Sequence, residues 1–237
     1  MRVSLGHMTK KLFIAATGQH KGKTTSTLGI AASLKKQGLN VGYCKPVGQN
    51  HILIGDAMVD KDVVLFENLL NFKTVPAVHS PVIISSGVTQ GFIENPDQFN
   101  FIDQIRAAQK YLEASHDVVV FEGTGHAGVG SIVNLSNAQV AKMLGSDVIL
   151  VAEGGIGSTF DQLNMNLALF RELNVSVKGV IINKVLPEKR EKVLHCLQKM
   201  LAPMGIPILG LLPYDSVLSY PLLATIKNAI TGRCYSM

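Results

Sequence analysis

The residues Thr17-Gly18-Gln19-His20-Lys21-Gly22-Lys23-Thr24-Thr25 concentrate the kind of chemistry that handles phosphate. A loop of the form G-x-x-x-x-G-K-[ST] points backbone N–H groups at phosphate oxygens, while its Lys reaches the outer phosphates and its Ser/Thr hydroxyl ligates Mg²⁺. Gly22, Lys23 and Thr24 fit that pattern, but the first consensus glycine falls on Thr17, with Gly18 one place late, so the loop is a variant. It follows the apolar run Leu12-Phe13-Ile14-Ala15-Ala16 and precedes a helical pattern. That is the strand–loop–helix setting a phosphate site requires, and a glycine turn with a surface lysine would have no need of it.

Other polar residues stand where apolar runs end. Tyr43-Cys44-Lys45-Pro46 puts a lysine just before a strand-breaking proline. Lys45 is either an ordinary solvated side chain or an ammonium that stabilises charge on a transferring phosphoryl group or holds an anionic substrate. Asp117-Val118-Val119-Val120-Phe121-Glu122 ends in a carboxylate that would be costly to bury unpaired, and beside a phosphate loop Mg²⁺ is its economical partner. The glycines that follow, through Gly123-Thr124-Gly125-His126, permit close approach of a ligand, or else make a plain turn; His126 is either a substrate-side group or a loop histidine. Asp60 and Asp62 open a short helical pattern, where capping is the competing explanation. Ile181-Ile182-Asn183-Lys184 ends another run with an amide able to face a purine edge; Val185-Leu186 supplies no Asp at the N-x-x-D spacing that selects guanine, so adenine is expected. Glu153-Gly154-Gly155-Ile156-Gly157-Ser158-Thr159 flanks the same region, with Ser158 also readable as a helix cap.

Elements that would position these residues can be read from the periodicity. Strand-length apolar runs at 11–17, 40–47, 117–122, 147–152, 178–183 and 206–212 alternate with helical patterns at 23–37, 96–115, 137–144, 159–173 and 188–202. The alternation predicts an α/β fold: a doubly wound, mainly parallel sheet with helices on both faces and ligands at the carboxyl ends of its strands. Residues 48–93 are less regular and form an insertion on the substrate side, with a short helix at 62–70 and an edge strand or extended loop at 79–84. Residues 221–226 read as a closing helix, and residues 1–8 as a disordered extension. The 237 residues are expected to form one nucleotide-binding domain.

Composition excludes several classes. Apolar residues make up 47% of the chain and charged residues 16%, which suits a packed interior rather than disorder. The net charge of +5 is spread along the sequence without a basic stripe or interleaved aromatics, so no nucleic-acid partner is expected. No apolar run reaches the roughly 20 residues of a membrane span, and no membrane partner is expected. Three distant cysteines, Cys44, Cys196 and Cys234, imply neither a disulfide framework nor a zinc site and suit a reducing cytoplasm.

The variant loop, Lys45-Pro46-Val47, the Asp62 helix, Glu122-Gly123-x-Gly and Asn183 come in the order found in dethiobiotin synthetase, and the sequence resembles that family over nearly its whole length. The broader group includes cobyrinic acid a,c-diamide synthase-type amidoligases and the N-terminal domain of some phosphate acetyltransferases. The stretches from Glu122 to Ser131 and from Glu153 to Thr159 look most like stand-alone or phosphate acetyltransferase-associated members. The resemblance implies a homodimer that uses ATP and Mg²⁺ on a small-molecule substrate. It implies that Gly18, Gln19, His20, Lys21, Gly22, Lys23, Thr24 and Thr25 cradle the phosphates and Asn183 reads adenine. Thr24, Asp62 and Glu122 would hold the metal, Lys23 and Lys45 would be catalytic, and Gln49, Thr124, Gly125 and His126 would face substrate. The implied chemistry passes the γ-phosphoryl group to a carboxylate or carbamate oxygen, after which a nitrogen nucleophile captures the mixed anhydride.

The sequence also departs from dethiobiotin synthetase. That family has a longer loop with an Asp near the metal where Gln19 stands here, a serine where Gln49 stands, and a different segment at Gly125-His126-Ala127, so a diaminopelargonate pocket does not follow. MinD-like relatives carry a second lysine early in the loop where this chain has Gly18, which argues against a partitioning ATPase. The competing reading is an ATP-sensing regulatory domain without turnover, and the chain could equally be free-standing or part of a longer protein. With no Asp after Asn183 at the guanine-selecting spacing, ATP is expected to bind more tightly than GTP; equal affinities in a calorimetric titration would refute this.

Overall fold

Strands rich in Val, Ile and Leu without polar alternation are suited to burial on both faces, and that is where the long apolar runs lie in the computed structural model, which describes residues 9–217. In chain order the elements are β1 (Lys10–Ala16), α1 (Lys23–Lys36), β2 (Val41–Cys44), β3 (Val47–Gly48), β4 (His51–Ile54), β5 (Ala57–Asp60) and α2 (Asp62–Leu70). There follow α3 (Pro76–His79), β6 (Val82–Ile83), α4 (Val88–Glu94), α5 (Phe101–Glu113), β7 (Val118–Glu122), α6 (Asn137–Leu144) and β8 (Asp147–Glu153). The series closes with α7 (Gly157–Glu172), β9 (Val177–Val185), α8 (Arg190–Leu201) and β10 (Ile208–Pro213).

Six strands form one parallel sheet in the order β10-β9-β8-β1-β7-β2. Only the step from β1 to β2 runs toward the β2 edge; every later crossover runs the other way. Right-handed crossovers therefore place α1 on one face and α5, α6, α7 and α8 on the other. The packing follows: Ile14, Tyr43, Val120 and Val151 meet Ala31 of α1 and Phe66 of α2, whereas Phe13, Phe121, Leu150 and Ile182 meet Leu112, Leu144, Leu163 and Leu197. Tyr43 and Phe66 stack with ring centroids 3.6 Å apart, which fixes α2 beside the sheet.

The register sets the strand ends side by side. Ile14 pairs with Glu122, Ala16 with Val151 and Glu153 with Asn183. The carboxyl end of the sheet is thus a row of β2, β7, β1, β8 and β9 termini, each delivering one of the polar residues singled out above.

The predicted architecture holds, with local corrections. The run at 40–47 is two strands: β2 ends at Cys44, and beyond Pro46 the short β3 leaves the main sheet to pair with β6. The segment 79–84 splits likewise, since His79 ends α3 and only Val82–Ile83 is strand. The helix expected from residue 96 starts at Phe101, because Pro96–Gln98 forms a separate turn and Phe99 is extended, packing its ring against Phe92 and Phe101. Within the insertion the antiparallel hairpin β4–β5 went unpredicted, since Ile52, Leu53, Ile54 and Met58 are all exposed and leave no alternation to read. The closing helix and the N-terminal extension fall outside the described residues. Among the described residues no helix is long and apolar enough to cross a membrane.

The insertion is braced by His79, whose ring stacks on Phe72 and whose Nδ1 accepts the Val75 N–H at 2.9 Å. Its carbonyl accepts the N–H of Lys45 at 2.8 Å, so α3 also holds the end of β2. Burial lowers the pKa of His79 from 6.5 to about 4. The unfolded chain therefore takes up this proton first: the contribution is fully present above pH 6.5 and is lost as pH falls toward 4. The wild type is expected to lose melting temperature faster than His79→Asn across that window; parallel melting curves would contradict it.

Candidate functional site

The loop between β1 and α1 turns on its last glycine. Gly22 precedes the first turn of α1 with φ 86°, and a Cβ there would stand 1.8 Å from Asn183 Nδ2. Both the left-handed backbone and the space demand glycine. Gly18 has no such need, and Thr17, where the consensus would place its first glycine, is buried with its N–H donating to the Val151 carbonyl at 2.9 Å. The variant spacing is thereby explained, because the close approach occurs only at Gly22. Helix α1 begins without a side-chain cap or an acidic residue in its first turn, which leaves its N-terminus suited to an anion.

A cleft of about 830 Å³ opens over this N-terminus. It is lined by Gly18, Gln19, His20, Gly22, Lys23, Thr24 and Thr25 of the loop region, by Lys45 and Gln49 after β2, by Asp60 and Asp62, by Thr124 and Gly125 after β7, and by Asn183. The expected residues converge, from strands that are distant in sequence. At their centre Glu122 is fully buried: its Oε1 accepts the Thr24 hydroxyl at 2.9 Å and lies 3.2 Å from Lys45 Nζ and 3.8 Å from Lys23 Nζ. The Tyr43 hydroxyl donates to its other oxygen at 3.4 Å. Lys45 Nζ also lies 2.6 Å from Asp62 Oδ2 and 3.9 Å from Asp60 Oδ1.

The two lysines respond oppositely to this setting. Burial lowers the Lys23 pKa, only partly offset by Glu122. Burial also acts to lower Lys45, but Glu122, Asp60 and Asp62 outweigh it and hold its pKa above the usual lysine value. Lys45 is therefore a buried cation at the wall of the cleft, held by carboxylates, not a solvated surface group.

Asp60 and Asp62 divide the two roles that the sequence left open. Asp60 Oδ1 accepts the Asp62 N–H at 3.1 Å and Oδ2 accepts the Gln49 N–H at 3.2 Å, so it serves the start of α2. Asp62 instead turns its carboxylate to Lys45. Thr24, Asp62 and Glu122 are hard oxygen donors of the type Mg²⁺ takes, and the two carboxylates share the Lys45 ammonium. Among the described residues no three His, Cys, Asp or Glu side chains form a group ready to hold a metal.

Other expected residues are placed differently. Lys21 turns its side chain out of the cleft to pair with Glu153, which also pairs with Lys184 at 3.1 Å. Lys184, itself at φ 57°, donates to the His20 carbonyl at 2.7 Å, and Asn183 Nδ2 donates to the Lys21 carbonyl at 3.0 Å. The ends of β8 and β9 thus bracket the loop from below. Hydrogen bonds from Lys21 and Lys184 lower the Glu153 pKa against its partial burial. Reading the sequence missed this bracket, although Glu153 ends an apolar strand just as Glu122 does. His126 is exposed and does not line the cleft; its Nδ1 accepts the Gly128 N–H. The segment after β7 is ordered by Asn137, which accepts the Thr124 N–H and donates to the carbonyls of Thr124 and His126.

Known proteins are similar to this chain in sequence and in fold. A "Probable cobyric acid synthase" of Methanococcus vannielii is 27% identical over 242 residues, covering 90% of this chain and 48% of that protein. A phosphate acetyltransferase of Nitrosomonas europaea is 25% identical over 231 residues, covering 93% of this chain and 32% of that protein. The chain spans about half the length of the first relative and about a third of the second. Among solved structures, the McdA–ATP complex of Cyanothece has a TM-score of 0.56 at 16% identity, covering 98% of this chain and 100% of that one. MinD of Pyrococcus horikoshii with Mg-ADP has a TM-score of 0.50 at 18% identity, covering 90% and 84%. At these identities the two structures share the fold, a P-loop NTPase-like parallel sheet. The AAA domain family matches residues 10–221, and the chain therefore belongs to that family of P-loop domains.

Proposed function

We propose that the chain binds Mg-ATP in the cleft and transfers the γ-phosphoryl group to a small carboxylate or carbamate ahead of amide or ring formation. The observation that carries this reading is Lys45. A buried ammonium beside Lys23, Thr24 and Glu122 is not part of the loop that would cradle a nucleotide; it lines the cleft, where it would meet both the γ-phosphate and an anionic acceptor.

In this reading the N–H groups at the start of α1 and the Lys23 ammonium hold the phosphates. Thr24, Asp62 and Glu122 would hold Mg²⁺, which when bound neutralises charge on the β- and γ-phosphates. Asn183 gives one amide proton to the loop, and its carbonyl oxygen and second proton would read adenine. Gln49, Thr124 and Gly125 line the acceptor side. The acceptor oxygen, drawn in by Lys45, attacks the γ-phosphorus as the bond to the β–γ bridging oxygen breaks and ADP leaves. A nitrogen nucleophile then attacks the acyl carbon and expels phosphate. Alignment and charge neutralisation supply the rate.

The order of motifs resembling dethiobiotin synthetase and the kinship with cobyric acid synthases support a ligase-like activity of amidoligase type; a cytoplasmic homodimer is part of the same proposal. The kinship with phosphate acetyltransferases, of which this chain matches only a third, supports the second reading: an ATP-sensing domain without turnover.

Lys23→Ala is expected to abolish measurable ATP binding in a calorimetric titration. Lys45→Ala should keep ATP affinity within about threefold but lower turnover about a hundredfold or more, as removal of a group aimed at developing charge does. Equal loss of binding in both variants would contradict this division. Steady-state ATP hydrolysis should rise when a carboxylate acceptor and ammonia, or diaminopelargonate and bicarbonate, are supplied; ATP binding with no stimulation by any acceptor would favour the sensing domain.

A further inference from the structure

Two demands meet at the same oxygens. Asp62 Oδ2 and Glu122 Oε1 belong to the residues suited to a divalent cation, yet both are bonded to the Lys45 ammonium, at 2.6 and 3.2 Å. Mg²⁺ requires oxygens at about 2.0–2.1 Å in near-octahedral array, and an ammonium within bonding distance of those oxygens would repel it. While Lys45 holds them, these two oxygens are therefore closed to a divalent cation.

Asp60 decides where Lys45 can go. It is nearly fully buried and pinned by the N–H groups of Gln49 and Asp62, while its own N–H donates to Ser80 Oγ at 2.9 Å. Gly48 makes the fit possible, since a Cβ there would lie 2.8 Å from Asp60 Cβ. This carboxylate is held still 3.9 Å from Lys45 Nζ, on the side of the insertion, and donates no oxygen to the Thr24–Glu122 pair. The other face of Lys45 looks into the cleft.

The geometry points to Lys45 as the built-in counter-ion of the metal site, exchanging its bonds to Asp62 and Glu122 for Asp60 and the nucleotide's phosphates when a divalent cation enters. Asp60 is the positioning residue that keeps Lys45 beside the site after the exchange. This rests on the Mg-ATP reading above. It has a consequence that reading does not contain: divalent cation alone binds poorly, because Lys45 neutralises its ligands, and enters readily only with phosphates that give the ammonium new partners. The carboxylates serve as a cation site in both states, and the lysine sets the order in which its occupants arrive.

Mn²⁺ titrations of the full chain, followed by electron paramagnetic resonance of the free ion with and without AMPPNP, test this. The wild type should bind Mn²⁺·AMPPNP but bind Mn²⁺ alone at least about tenfold more weakly than do Lys45→Met and Lys45→Gln, a gain of affinity that loss of a purely structural lysine would not produce. Asp60→Asn should weaken Mn²⁺·AMPPNP binding several-fold without strengthening that of Mn²⁺ alone. Equal Mn²⁺ affinities in wild type and both Lys45 variants would overturn the inference while leaving the Mg-ATP reading intact; failure of the wild type to bind Mn²⁺·AMPPNP would overturn both. Circular dichroism identifies a variant that does not fold. In that case the wild type decides, because micromolar Mn²⁺ binding without nucleotide would itself overturn the exchange.

Discussion

A fully buried carboxylate needs partners on every side, and Glu122 obtains them from four residues at once: Thr24 at the start of α1, Lys23 beside it, Tyr43 on β2 and Lys45 just after it. Removing one partner of a buried ion pair generally costs about 3–5 kcal/mol, since the other charge is left without compensation. Structure and chemistry are consequently hard to separate here. The groups that keep Glu122 tolerable inside the sheet are those that the phosphate site uses, and the strand order β2-β7-β1 exists in a form that lets them meet.

The opposite side of the loop shows the same economy. Glu153 and Asn183, paired in register at the ends of β8 and β9, reach up to the loop through Lys21 and Lys184 and through the Lys21 carbonyl. A loop in which His20 and Gly22 both take left-handed backbone conformations is thereby held from two sides, by strands rather than by its own sequence. Preorganisation of this kind is what an anion site needs, because donors that must first be ordered bind more weakly.

Much of this was legible beforehand, and the reasons differ by residue. Apolar runs gave the six strands because burial on both faces erases polar alternation, and the polar residue ending each run was visible by contrast. Lys45, Glu122 and Asn183 were singled out in that way, and they gather around the loop. The division of labour between Asp60 and Asp62 was not legible, since both suit a helix start equally and only Gly48 and Lys45 distinguish them. The placement of His126 was not legible either: a histidine among glycines looks chemical, whereas Asn137 holds that loop's backbone and the His126 ring is exposed. The side-chain partner of Lys21 was hidden for a related reason: it lies 132 residues later and could not be read from spacing.

The parallel register has a further bearing on how this molecule comes into being. The cleft draws on residues from Gly18 to Asp215, and the strand ends that contribute are flanked by neighbours remote in sequence. Parallel sheets close late, because their loops must be ordered before pairing rewards them. Without β9 the loop loses its lower support, and without β2 and β7 the lysines lose their carboxylate partner or its neighbours. A ligand that recognises the cleft thus stabilises only the finished sheet, so its binding energy is added at the last step of folding and acts chiefly to slow its undoing.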